Sequence, residues 1–140
     1  MPDRTAQQNA LISIMVLAAV ADSDIDDEEL GKMTRIVQSL PVFQDYDIAR
    51  IPGVAREMAG LLQDPDGIDK ALTQVHETLP QRLFETAYAL AVDVVAADAV
   101  ATQEELRLLE MLRHELNVGR LEAAAIERGA RARHTLIEAG

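Results

Sequence analysis

Ala21-Asp22-Ser23-Asp24-Ile25-Asp26-Asp27-Glu28-Glu29-Leu30 is written a second time, 76 residues later, as Ala97-Asp98-Ala99-Val100-Ala101-Thr102-Gln103-Glu104-Glu105-Leu106. The register holds on both sides, so that 17–42 and 93–118 are one element in two copies. The apolar ladder downstream matches as well: Leu30, Met33, Ile36 and Leu40 map onto Leu106, Leu109, Leu112 and Leu116. A duplicated unit fixes architecture before any local reading does. Here it predicts two helix–loop–helix units, each with an acidic loop, inside a single-domain, all-α bundle of about seven helices. The internal repeats span about 5–42 and 81–118.

Working outward, the apolar spacing predicts helices near 5–21, 27–40, 54–63, 65–79, 80–97, 103–116 and 119–137. The first is apolar nearly all round (Leu11, Ile12, Ile14, Met15, Val16, Leu17, Val20), which belongs at the centre of a bundle. The fifth repeats that character with Phe84, Tyr88, Leu90, Val92, Val94 and Val95. Pro41 stops the second helix, and Asp64-Pro65 reads as an N-cap followed by a first-turn proline. The fourth helix is expected to bury Ile68, Ala71, Leu72, Val75 and Leu79. Asp45, Tyr46 and Ile48 predict a short turn broken at Ile51-Pro52, with Phe43 and Tyr46 packed over the core. Asn117-Val118-Gly119 supplies a left-handed cap region after the sixth helix.

Composition narrows the function. There are 140 residues, 49% of them apolar, and no Cys, which excludes disulfides, thiolate metal sites and Cys nucleophiles. The net charge of −11 disfavours nucleic acid and anionic membranes, and makes cations or a basic protein the natural complement. The apolar run 10–21 is too short to span a bilayer. Although Ala19-Val20-Ala21 imitates a cleavage site, Asp3 offsets Arg4 and the basic n-region of a signal peptide is missing, so the expectation is a cytoplasmic protein.

Much of the duplicated acid has a purely structural explanation. Asp26-x-x-Glu29 and Thr102-x-x-Glu105 both fit the capping box, in which the cap side chain and the N3 carboxylate satisfy each other's backbone N–H. Asp22 and Asp98 are not explained this way, because each follows an apolar helix whose exposed carbonyls disfavour a carboxylate. Six acids crowd into 22–29, and such crowding raises carboxyl pKa values or calls for a counter-ion. Carboxylate oxygens are what a hard divalent cation such as Ca²⁺ takes as ligands. Asp22, Asp24 and Asp26 match the opening of an EF-hand loop, but Asp27 stands at its turn glycine and Met33 at its bidentate glutamate. It is no EF-hand.

The two copies, together with Leu79-Pro80-Gln81-Arg82-Leu83-Phe84-Glu85-Thr86-Ala87-Tyr88-Ala89 ahead of Ala96-Ala97-Asp98, resemble the TerB-like (tellurite resistance protein B) family over essentially the whole chain. The resemblance implies an intracellular helical domain tied to tellurite and stress resistance. It also implies cation ligands at Asp22, Glu29, Asp98 and Glu105, to which the crowding of the first loop adds Asp24 and Asp26. The glycine of the family's motif is Ser23 in one copy and Ala99 in the other.

No catalytic pattern accompanies this. His76, His114 and His134 lack partners at metal-ligand spacing, Ser13, Ser23 and Ser39 lack a nucleophile context, and no glycine-rich phosphate loop exists. The expected role is non-enzymatic: a divalent cation, Ca²⁺ first, at the acidic loops of a domain that mediates protein interactions. The rival is an acidic adaptor that binds a basic protein without any ion.

Overall fold

The computed structural model describes residues 3–20, 25–97 and 101–138. Its centre is α1 (Arg4–Ala19), started by Asp3, whose Oδ1 accepts the Ala6 N–H at 2.7 Å. Leu11, Ile12, Met15, Val16 and Ala18 have no exposed surface, because α3 (Ile51–Leu61), α4 (Gly67–Thr78), α5 (Phe84–Ala96) and α6 (Gln103–Glu115) all pack around this helix. A helix with no polar face has nowhere else to go. Its most extensive partner is α5, the corresponding helix of the second copy, with Ala87, Tyr88, Leu90 and Ala91 buried between them and their neighbours.

The helices of the acidic copies are one-sided. In α2 (Asp27–Ser39) Met33 and Val37 are buried and Leu30 and Ile36 half-buried, and the helix ends before Pro41 with Leu40 in extended backbone. In α6 Leu108, Leu109 and Leu112 are buried, followed by Leu116. Along the two ladders Met33 and Leu109 are both buried, Ile36 and Leu40 are half-buried where Leu112 and Leu116 are buried, and Leu30 is half-buried where Leu106 is 50% exposed. The chain between α2 and α3 makes two 3-10 turns, Pro41–Phe43 and Ile48–Arg50. Phe43 is buried edge-on to Tyr46, and the Tyr46 hydroxyl donates to Asn9 Oδ1 at 2.6 Å, so this aromatic pair seals one flank of α1 as expected.

Two expectations at the turn between α3 and α4 are corrected. Asp64 does not cap α4. The helix begins two residues later, after Asp66, and Asp64 instead accepts the Asp66 N–H at 2.8 Å and the Lys70 ammonium at 2.6 Å. That pair of bonds holds its carboxyl below the usual carboxylate range. Ile68 is also not buried: it shows 40% of its surface, while Ala71, Leu72, Val75 and Leu79 are inside.

After α6, Asn117 takes the left-handed conformation (φ 51), and the Val118 N–H reaches back to the Arg113 carbonyl at 3.0 Å, closing the helix end. α7 (Arg120–Arg133) lies along α5. The Tyr88 hydroxyl donates to Glu127 Oε2 at 2.5 Å, and Arg133 donates to Asp93 Oδ1 at 2.7 Å with the His134 ring 3.5 Å from the same oxygen. Arg133 therefore ties two helices together in addition to complementing its own helix dipole. His76 stacks edge-on against Phe84 and lies 3.7 Å from Glu115, a surface contact on α4.

Candidate functional site

The acidic copies begin their helices as their sequence demands. Asp26 Oδ1 accepts the Glu29 N–H at 2.8 Å, and its backbone is extended, as an N-cap requires. In the second copy both halves of the box are closed: Thr102 Oγ1 accepts the Glu105 N–H at 3.1 Å, and Glu105 Oε1 accepts the Thr102 N–H at 2.8 Å. The two motif glutamates then part company. Glu29 is half-buried, whereas Glu105 is 2% exposed, a carboxyl group drawn into the protein on the same helix as the buried Leu108 and Leu109. The shared motif residues do not distinguish them. Their neighbours do, since α6 packs on α1, α4 and α5 and α2 packs outside on α3.

Of the six candidate ligands, Asp26, Glu29 and Glu105 are described, while Asp22, Asp24 and Asp98 lie outside the described residues. The flanks of both loops nevertheless meet at one end of the bundle, and they meet crosswise. Glu29, just after the first loop, lines a small cavity with Ala97, just before the second, and with Ala19 and Val94. Glu104, just after the second loop, lines a groove with Leu17 and Val20, just before the first. The start of each acidic helix thus shares a cavity or groove with the end of the other copy's apolar helix. Lys32 shares the first of these cavities with Glu29; the position 76 residues later is Leu108, so the cation has no counterpart in the second copy.

Among the described residues no group of three or more His, Asp or Glu side chains is placed to hold a metal ion. The donor set is carboxylate oxygen throughout, which is the chemistry a hard divalent cation needs. In Glu105 one of the two oxygens is already occupied by a backbone N–H.

The groove is the larger feature, about 590 Å³ in volume. Leu17, Val20, Leu62, Leu108 and Met111 form its apolar floor, with the half-exposed Ile68 at its side. Asp64, Asp69 and Glu104 stand around it, with Arg107 as the one unpaired cation lining it among the described residues. Sequence reasoning placed no groove here. The signal available was Ile68 itself, an apolar residue one position inside a helix start.

No protein-family model, curated protein or solved structure matches the chain. Among the described residues no helix is long and apolar enough to cross a membrane.

Proposed function

We propose that the chain is a TerB-like, non-enzymatic cytoplasmic domain of the stress- and tellurite-resistance type, whose paired acidic loops take up a divalent cation and thereby adjust a protein-binding surface. The observation that carries this reading is the crosswise placing of the loop flanks, Glu29 sharing a cavity with Ala97 and Glu104 sharing a groove with Val20. Two loops so rooted can pool their carboxylates, and the second loop alone has too few oxygens for the 6–8 that Ca²⁺ requires. The ligands would be Asp22, Asp24, Asp26 and Glu29, joined by Asp98 and Glu105. A bound cation would relieve repulsion among the six acids of 22–29 and set the angle at which α2 leaves α1. Titration calorimetry tests this directly. Ca²⁺ should bind with a measurable heat, and Asp22→Asn should weaken it; no divalent binding at roughly millimolar concentration, a Kd that would leave only about 4 kcal/mol of affinity, ends the ion reading.

A second reading has its own support. Asp26 and Glu105 already serve as helix-start acceptors, and Lys32 stands beside Glu29 as a built-in counter-charge. On that reading the acidic end docks a basic protein with no ion. The two separate on thermal stability: a site-bound cation raises it by mass action at low concentration, and an ion-free surface responds only to ionic strength.

A further inference from the structure

The groove and residues 134–138, which follow α7, are complementary in character. Beyond α7 the chain leaves the helix with Leu136 77% exposed and Ile137 fully exposed, two adjacent apolar side chains with no cover. They trail a cationic stretch. Arg128 and Arg131 are exposed and make no ion pair among the described residues, and Arg133 and His134 share the single carboxylate of Asp93. On a protein of net charge −11, cations and bare apolar side chains coincide here. The groove offers an apolar floor of Leu17, Leu108 and Met111, the uncovered Ile68, and three carboxylates, Asp64, Asp69 and Glu104, against the one lining cation among the described residues, Arg107.

We propose that the groove docks the C-terminal segment of a second copy of this chain, with Leu136 and Ile137 on the apolar floor and Arg131 facing the acidic rim. The contact is heterologous: the surface given by one copy differs from the surface received by the next. Such contacts extend into chains unless a rotation closes them. It does not depend on any ion in the loops. The net charge of each copy opposes association at long range, but at about 0.15 M salt charges beyond ~8 Å are screened while pairs in contact are much less so. The association is accordingly weak and visible only in concentrated solution.

Sedimentation velocity of the full chain, between about 10 μM and 1 mM at 0.15 M salt, reads it out. The average mass should rise with concentration. Leu136→Ser with Ile137→Ser removes the inserted pair, and Ile68→Asp spoils the groove; each should weaken association by roughly a hundredfold. All three sites are exposed, so both variants keep the fold, and circular dichroism checks it. The deciding step mixes the two. The tail variant retains a groove and the groove variant retains a tail, so together they should form a 1:1 dimer that grows no further. A wild type that remains monomeric at 1 mM overturns the proposal, as does a mixture that stays monomeric. So does a tail variant whose thermal midpoint falls in dilute monomer, because that result would mean the segment covers the groove of its own chain.

Discussion

Tyr88 shows how a single polar atom is made safe inside this bundle. Its ring is 2% exposed, and its hydroxyl reaches outward from α5 to Glu127 on α7. Burial, then the hydrogen bond to Glu127 and the charge of that carboxylate, push the phenol well above its ordinary value, with Arg113 opposing weakly. The phenol is therefore neutral in the folded protein at pH values where the unfolded chain ionises it. Its contribution to stability is complete below pH ~10 and declines as pH rises from there toward the folded value. Tyr88→Phe should cost about 1 kcal/mol at pH 7, since the orphaned partner Glu127 is exposed and can turn to water. The variant should also lose less stability than the wild type between pH 9 and 11; parallel urea titrations across that range check both effects, and equal slopes would disprove the second. The sequence marked Tyr88 as core by its spacing, but no rule of spacing pairs it with Glu127, 39 residues away. The same limit applies to the motif glutamates. The capping role of Glu105 could be read from Thr102-x-x-Glu105, while its burial follows from α6 packing on three other helices, which no local pattern records.

At the scale of elements, helix number, order and the central position of α1 were legible because a helix without a polar face leaves no choice of environment. The turn between α3 and α4 was misread by two residues, and the reason is physical. Asp64-Pro65-Asp66-Gly67 contains two aspartates that can each cap, and a proline acceptable to either. Asp64 goes to a tight turn with Asp66 and Lys70, leaving Asp66 as the residue before the helix. What decides between them is Gly67. A side-chain carbon there would lie 2.2 Å from the Leu61 carbonyl oxygen and 2.9 Å from Leu62 Cα, so α4 can start only where a residue with no side chain passes the end of α3. Because both obstructing atoms are backbone, no rotamer change relieves the clash. Gly67→Ala should destabilise by about 2–3 kcal/mol, in contrast to the small gain such a change gives at an open helical site. Gly60→Ala, in the same α3–α4 hairpin but with nothing within 4 Å, is the matched control and should be neutral or slightly stabilising. Thermal unfolding of the pair decides it, and similar midpoints would mean that the two helices slide apart freely. The same start also explains Ile68: with the helix beginning at Gly67, its second residue faces the groove instead of the core.

Over the whole molecule the excess of 24 acids over 13 Lys and Arg is a standing load on the fold. Six of those acids fall in 22–29, and the flanks of that stretch share one end of the bundle with those of the second loop. Among the described residues the short ion pairs, Lys70 with Asp64 and Arg133 with Asp93, are largely surface contacts, and exposed pairs of this kind contribute little. Long-range repulsion should therefore outweigh specific attraction in the salt response. Screening lengths shrink from about 30 Å at 0.01 M to about 8 Å at 0.15 M, which spans the dimensions of one bundle end. Adding NaCl across that interval should raise the thermal midpoint by roughly 3 °C, equivalent to about 1 kcal/mol for a chain of this size. A bundle held mainly by its surface pairs would respond with the opposite sign. This response also sets the scale for Ca²⁺: at matched ionic strength, any rise beyond the NaCl curve measures binding at defined carboxylates rather than diffuse screening. Superimposed curves would assign the acidic end to general electrostatics, and a Ca²⁺ curve that climbs and saturates would assign it to a site.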